Sequence, residues 1–170
     1  MYLDKKYILA EVPEFLCDEV VSWCYDQVRD NEIYTDGDMY GRVHNIHLTL
    51  LTDVQENNLK CIEDSITDIK CFVCYLGEIR KFTTNSKFDV LYIDVKSPEV
   101  IEINKKLSSN IKNSSFYSVY IPHVTICYLE KNAGESFVGN SFFKDKYFNV
   151  EDVLFSTPEQ QSKFMLGRKK

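Results

Sequence analysis

Two short apolar stretches with the same pattern constrain the fold of this chain more than any other feature. Residues 45–51 and residues 122–128 each contain a histidine followed, two positions later, by a threonine. Because the side chains of a β-strand alternate between its two faces, the histidine and the threonine of each stretch share one face. Strict alternation predicts these groups on the shared faces: His47, Thr49 and Leu51 in the first stretch, and His123, Thr125 and Cys127 in the second.

These residue types suit the cleavage of a phosphodiester. Histidine has an unperturbed pKa of about 6.5, so two histidines can act as base and acid in one displacement near neutral pH. A threonine on the same strand face supplies a stiff hydroxyl that can hydrogen-bond a phosphate oxygen. Two such pairs could therefore cleave a phosphodiester without a metal ion.

A structural interpretation of the motifs competes with the catalytic one. A single His-x-Thr strand most often contains a half-buried histidine and an ordinary strand-forming threonine. Here two of the three histidines are followed by a threonine at the same position, which favours a functional pair. The third, His44, lies outside both motifs, and we expect it in a loop or at the entry of a strand.

The length and charge of the chain limit its partners. The sequence has 170 residues, a net charge of -6 and a pI of about 5.1, which are typical of one acidic globular domain. The general electrostatic attraction for long DNA or RNA is not evident, and no apolar run approaches the roughly 20 residues of a membrane span. We therefore expect a small anionic ligand as partner, and neither a long nucleic acid nor a membrane.

The six cysteines indicate reduced thiols rather than a disulfide framework, because their spacing is irregular. Residues 1–6 contain no apolar signal segment, so we expect a cytoplasmic protein. Cys71 and Cys74 have the C-x-x-C spacing of a redox or zinc site. They lie in an apolar strand-like run without a second pair, however, and their odd spacing would direct them to opposite faces of a strand. We therefore expect these two thiols to be structural, and no metal site.

Hydrophobic periodicity and turn residues predict the remaining elements. Beside the motif strands, strands are expected at residues 7–12, 70–84, 88–95, 148–156 and 163–166, and helices at residues 14–29, 55–66 and 98–112. Gly77 is expected to break the long strand, and Asn85 and Ser86 to form a hairpin turn after it. Residues 30–42 have loop composition and lead into the first motif strand, where they could form a lid or a rim.

The order of these elements is similar in the two halves of the chain. His47 and His123 also lie almost half of the chain apart. We therefore expect residues 1–170 to form a single α+β domain with two pseudo-symmetric lobes, roughly 1–85 and 86–170. In such an arrangement the two motif strands would face each other across one cleft.

The chain resembles the 2H phosphoesterase superfamily, whose members have two H-x-[ST] motifs on facing strands of a duplicated α+β fold. Residues 7–13 resemble the opening strand of that family, and residues 121–126 resemble its usual second motif. Within the superfamily, several stretches resemble the phage anti-CBASS nucleases: residues 40–42, 88–95, 97–98, 137–140 and 150–156. The resemblance implies antiparallel sheets around a central cleft, with helices packed outside.

The same resemblance implies a function. The substrate would be a cyclic di- or trinucleotide second messenger, whose 3′-5′ phosphodiester is cleaved without metal or cofactor to evade CBASS antiphage immunity. One of His47 and His123 would deprotonate the ribose 2′-hydroxyl or a water, and the other would protonate the departing 5′-oxygen. Thr49 and Thr125 would hold the phosphate. Which histidine starts as the base stays open at this point.

Five further residues are candidates for substrate binding. Tyr7 shares a strand face with Leu9 and Glu11, Tyr120 immediately precedes the second motif, and Phe164 could cover the site from the C-terminal region. Aromatic rings of this kind stack nucleobases, although most aromatic residues of the chain must belong to the core. Arg42 and Lys87 are candidate phosphate contacts, and the competing interpretation of each is a solvated surface charge.

Two other functions remain open on these residues. A 2H enzyme could act on RNA ends that carry a 2′,3′-cyclic phosphate, or on linear 2′-5′ oligoadenylates, with the same four motif residues. A nucleotide-sequestering protein is the alternative from another class, although it would not need a proton-transfer pair. For either enzyme we expect a monomer in the cytoplasm, which would be the host cytoplasm if a phage encodes the chain.

Overall fold

The computed structural model describes residues 5–37, 40–83, 87–115 and 119–167. Within these ranges the strands are β1 (Tyr7–Glu11), β2 (His47–Leu51), β3 (Phe72–Phe82), β4 (Phe88–Lys96), β5 (His123–Glu130), β6 (Tyr147–Val150), β7 (Asp152–Ser156) and β8 (Gln161–Met165). The helices are α1 (Glu14–Gln27), α2 (Leu59–Ile66) and α3 (Pro98–Asn110), with short 3-10 turns at Asp30–Glu32 and Ala133–Phe137. No helix in the described ranges is long and apolar enough to span a membrane.

All eight strands belong to one curled antiparallel sheet in the order β6-β3-β4-β5-β2-β1-β7-β8. The two motif strands, β5 and β2, are neighbours at its centre. Helices cover one face, where Leu48 and Val124 are among the most buried side chains, and the predicted α+β class is confirmed. We call this covered side the core face, and the opposite side, which carries His47 and His123, the motif face.

The halves of the sheet do not follow the division of the chain at residue 85. Strand β3 belongs to the first half of the sequence but pairs with β4, beside β5. Strands β7 and β8 come from the C-terminal end and extend the sheet beyond β1. Each side of the centre therefore contains strands from both halves of the chain.

The apolar run predicted as one strand over residues 148–156 is two strands at opposite ends of the sheet. Strand β6 pairs with β3, whereas β7 pairs with β1 and β8. The chain turns at exposed Glu151, and Val150 and Val153 are both buried on either side of it. The prediction was wrong here because a continuous apolar run does not reveal where the chain changes partners.

Local chemistry shifts the helix and strand ends by a few residues. Helix α2 begins at Leu59 rather than at residue 55, because Asn58 caps it by accepting a hydrogen bond from the Lys60 amide. Strand β3 runs through Gly77 with a change of register rather than a break. A Cβ atom at Gly77 would lie 3.1 Å from a carboxylate oxygen of Asp94, so glycine permits the close approach of these two strands.

Residues 30–37 and 40–43 run along the second half of β5 instead of covering the motifs. Ile33 bridges to Leu129 and Arg42 bridges to Cys127. The main chain adds hydrogen bonds from the Tyr34 amide to Tyr128 and from the Tyr128 amide to Gly41. The described part of the predicted lid therefore lengthens the sheet at the end of β5 that is remote from His123, and residues 38 and 39 lie outside the described ranges.

The cysteines are free thiols in the structure. Cys71 is exposed just before β3, whereas Cys74 is buried within it, so the two thiols of the C-x-x-C sequence have different environments. Among the described residues, no group of three or more histidine, cysteine, aspartate or glutamate side chains is arranged to hold a metal ion.

Candidate active site

The register of the two central strands brings the four motif residues together. Leu48 of β2 pairs directly with Val124 of β5 on the core face. In an antiparallel ladder the flanking positions then place His47 beside Thr125 and Thr49 beside His123, all on the motif face. Directly opposed Cβ atoms are about 4.5–5.5 Å apart, so the four side chains form a compact square with approximate two-fold symmetry.

Each motif strand contains an irregularity at the same place, immediately after its threonine. Between β1 and β2 the register shifts so that Leu9 pairs with Thr49 but Ile8 pairs with Leu51. The shift between β4 and β5 is equivalent, with Tyr92 paired to Thr125 and Leu91 paired to Cys127. An extra residue in one strand reverses the facing of every residue beyond it.

These bulges overturn part of the predicted alternation. Leu51 and Cys127 do not share the face of the histidines, because each follows a bulge and is buried in the core, 2 % and 0 % exposed. Tyr128 takes the position on the motif face instead, next to Val90 of β4. The motif face therefore retains only the histidine and the threonine of each predicted group.

Both histidines are held in the same tautomer by the same type of contact. Nδ1 of His47 lies 2.7 Å from the carbonyl oxygen of Asn45, and Nδ1 of His123 lies 2.7 Å from that of Ile121. A carbonyl oxygen can only accept, so Nδ1 must carry a proton in each ring. In the neutral imidazole, Nε2 is then free to accept a proton from a substrate or, once protonated, to donate one.

The surroundings lower the pKa of both imidazoles. Burial lowers the pKa of His47, and its hydrogen bond to Asn45 offsets part of that decrease. Burial lowers the pKa of His123 as well, and the charge of nearby His47 lowers it further. A proton on one ring therefore disfavours a proton on the other, and the pair loses its two protons in separate steps. Between these steps one ring is neutral and the other is charged, as acid–base catalysis requires.

Carboxylates flank the square on its two outer sides. Glu11 of β1 pairs with His47, and Asp94 of β4 pairs with His123, at symmetry-equivalent positions. They differ in pairing, because Lys163 of β8 forms an ion pair with Glu11 at 2.8 Å whereas no described residue forms an ion pair with Asp94. The two carboxylates therefore occupy equivalent backbone positions but have different partners.

Two aromatic rings contact His123 and an arginine lies in the neighbouring row, and none of these three residues was predicted from the sequence. Phe82 and Tyr92 stack with centroids 4.1 Å apart, and both rings meet His123 edge-on, at 4.9 and 5.3 Å. Arg80 of β3 pairs with Tyr92 on the motif face and is exposed. The spacing of two between Arg80 and Phe82 indicates that they share one face of β3. Only the pairing of β3 with β4 places that face beside the motifs.

The structure places Tyr7 and Tyr120 differently from each other. Tyr7 shares the alternation of Leu9 and Glu11, which face Thr49 and His47, so it lies on the motif face as predicted from its strand. Tyr120 is half-buried against the core, and its hydroxyl donates a 2.7 Å hydrogen bond to the main-chain oxygen of Thr49. It therefore ties the entry of the second motif to the first motif strand, and its hydroxyl is not available to a substrate.

Two predicted substrate contacts are used elsewhere in the structure. The guanidinium of Arg42 bonds the Val28 carbonyl at 2.7 Å and Asp30 at 2.9 Å, and it lies over the ring of Tyr25. It thus ties the end of α1 to β5. Phe164 pairs with Val153 on the core face and packs against the core, so it cannot cover the motif face. Neither contact could be foreseen in the sequence, because the partners of both side chains come from distant parts of the chain.

Lys87 was also predicted as a phosphate contact and lies at the far end of β4. It precedes Asp94, the partner of His123, by seven residues, or roughly 23 Å at about 3.3 Å per strand residue. The third histidine, His44, is exposed and lies 3.1 Å from the Tyr25 hydroxyl. Neither residue belongs to the square of motif side chains.

Neither a protein-family model nor a curated protein sequence matches the chain. Solved structures do match it. TT0787 of Thermus thermophilus is 13% identical and superposes with a TM-score of 0.70, over 98% of this chain and 100% of TT0787. E. coli LigT complexed with 3′-AMP is 14% identical, with a TM-score of 0.68 over 97% of this chain and 98% of LigT. Usb1 of Kluyveromyces marxianus is 11% identical, with a TM-score of 0.57 over 96% of this chain and 98% of Usb1.

These neighbours are members of the 2H phosphoesterase superfamily. The similarity extends over almost the full length of each chain. The chain therefore has the α+β fold of the 2H phosphoesterases.

Proposed function

We propose that this chain is a phosphodiesterase that uses His47 and His123 as its acid–base pair and needs no metal ion. The observation that carries the proposal is the square of motif residues, in which each histidine lies beside the threonine of the other motif. In both rings Nδ1 is bound to a main-chain oxygen, which leaves Nε2 for the substrate. A purely structural pair of histidines would not need this matched orientation.

The reaction follows from the positions of these atoms. The neutral histidine takes a proton at Nε2 from the attacking hydroxyl, which is a ribose 2′-hydroxyl or a water. The oxygen attacks phosphorus, the bond to the departing 5′-oxygen breaks, and the charged histidine donates its proton to that oxygen. The hydroxyls of Thr49 and Thr125 donate hydrogen bonds to the non-bridging oxygens, where negative charge increases in the transition state.

For the substrate we propose the 3′-5′ bond of a cyclic di- or trinucleotide messenger, so that the enzyme would serve a phage in evading CBASS immunity. The support is the sequence resemblance of residues 40–42, 88–95 and 137–140 to the nucleases of that class. The net charge of -6 also favours a small ligand held by directed groups over a long polyanion.

An RNA end or a linear oligoadenylate is the second candidate substrate. It is supported by the structural neighbours, since LigT has been solved with 3′-AMP and Usb1 with uridine monophosphate. These ligands show that a linear nucleotide is bound by proteins of this fold. Sequestration of a nucleotide without cleavage is the weaker alternative, because it would leave the matched histidine pair without a role.

A substrate panel tests the proposal. The purified protein is incubated in excess EDTA with cyclic di- and trinucleotides, 2′,3′-cyclic phosphate RNA ends, and linear 3′-5′ and 2′-5′ oligoadenylates, and products are resolved by mass. We expect rapid loss of the cyclic oligonucleotides and little loss of the others. Cleavage of linear substrates alone would contradict the proposal of a cyclic oligonucleotide substrate, but it would still agree with the proposed acid–base mechanism. Binding of nucleotides without any cleavage would instead support sequestration.

A further inference from the structure

We propose that β3 provides a nucleotide subsite beside His123, in which Phe82 stacks the nucleobase and Arg80 binds the phosphate. The inference rests on the proposed phosphodiesterase function and specifies how the substrate lies in the site. The base of the nucleotide would lie on the His123 side of the site.

The register of the strands places both residues next to the motif square. Arg80 pairs with Tyr92, which pairs with Thr125, so these three side chains form one row across the motif face. Phe82 follows Arg80 by two residues and pairs with Val90 in the next row. Residues two apart on a strand share a face at a spacing of roughly 7 Å, which is close to the distance between a phosphate and its base.

Phe82 is the outer ring of a small aromatic stack. Its inner side is covered by Tyr92, which is itself only 5 % exposed and lies at an angle of 21° to it. Phe82 nevertheless remains partly exposed. A base that stacks on this ring would extend the stack by one more aromatic layer, and such contacts accept every base because each has a π-face.

Arg80 differs from the other arginines of the described residues. Arg29 is paired with Glu32, and Arg42 is paired with Asp30. Arg80 is exposed and forms no ion pair or hydrogen bond with a described residue. An unpaired guanidinium in the same row as Thr125 is well suited to bind a phosphate oxygen in a fork-like geometry.

The opposite side of the site has other side chains at the positions of Tyr92, Arg80 and Phe82, and its aromatic residue on the motif face is Tyr7. In the pairing of β1 with β7, Leu9 is the equivalent of Tyr92, and its partner Leu154 is the equivalent of Arg80. Ser156 takes the position that corresponds to Phe82. The approximate two-fold symmetry of the backbone is therefore broken by the side chains, which gives the bound nucleotide one preferred direction.

Binding of AMP and ribose 5-phosphate tests this subsite without relying on turnover. The two probes share ribose and phosphate and differ only in adenine. For the wild-type protein, calorimetry should show AMP binding about tenfold or more tighter than ribose 5-phosphate, as expected for one stacked base. Phe82→Leu should remove this difference in affinity, and Phe82→Trp should retain it. Arg80→Gln should weaken the binding of both probes by a similar factor.

Tyr75→Leu and Arg29→Gln are matched controls. Tyr75 lies on the same strand and face as Phe82 and is 52 % exposed, but it pairs with Lys96 far from Thr125. Both controls should bind the two probes like the wild type. Equal affinity of the wild type for AMP and ribose 5-phosphate, or equal behaviour of Phe82→Leu and Tyr75→Leu, would overturn the subsite. A base-dependent affinity without cleavage of any panel substrate would overturn the proposed function and leave the subsite intact.

Discussion

Replacing either His47 or His123 by alanine should reduce kcat about 10²–10⁴-fold, since each ring supplies one proton transfer in the same displacement. The free Nε2 atoms, fixed by the contacts of Nδ1 with Asn45 and Ile121, are the groups that are lost. The double variant should be little worse than either single variant, because the two rings act as a unit. Steady-state kinetics on the best substrate of the panel measures all three.

His44→Ala is the control for a general effect of histidine removal. His44 is exposed and contacts Tyr25 rather than the motif residues, so its replacement should leave kcat within about twofold of the wild type. Folding of each variant is compared by thermal unfolding. A folded His123→Ala protein that retains full turnover would show that the motifs do not form an acid–base pair.

The threonine hydroxyls should have the next largest effect. Thr49→Val and Thr125→Val each remove one hydrogen-bond donor while keeping the branched shape that suits a strand. We expect kcat to fall about 10²-fold in each, which is at the lower end of the losses seen when one donor to a developing oxyanion is removed. KM should change much less, because the phosphate gains its additional charge only in the transition state.

Thr35→Val provides the matched control, since Thr35 is exposed in the loop that runs along β5 and lies away from the square. It should show wild-type kcat and KM. If Thr49→Val or Thr125→Val raised KM tenfold with kcat unchanged, the hydroxyls would bind the ground state and the transition state equally. That result would contradict the role assigned to them.

The centre of the site could be predicted because its signal is local and repeated. His47 and Thr49 share a face through a spacing of two, and the same holds for His123 and Thr125, whatever their strands pair with. The duplicated motif in an α+β order then suggested two strands that face each other across a cleft, whereas in the structure β2 and β5 are neighbours in one curled sheet. The structure confirms the fold class, and the catalytic role of the four residues remains a prediction for the kinetics above.

The residues around the four motif side chains could not be predicted in the same way. Their positions depend on strand pairing and on bulges, which no single stretch of sequence reveals. The extra residue after each threonine turns Leu51 and Cys127 into the core, and a bulge has no distinctive sequence signal here. Arg42 and Phe164 have the chemistry of a substrate contact but lie on faces that only the pairing of distant strands determines. Arg80 was missed for the same reason, since its neighbours belong to β4 and β5.

The pH dependence of kcat/KM in excess EDTA tests the central claim most directly. The active form has one neutral and one charged ring, and burial lowers the pKa of both histidines below the usual value of about 6.5. We therefore expect a bell-shaped profile with its maximum below about pH 6.5, because activity is lost when both rings are charged at low pH or both are neutral at high pH. A rate that requires a divalent cation, or one that rises to a plateau above about pH 8, would contradict the account of a metal-independent histidine pair.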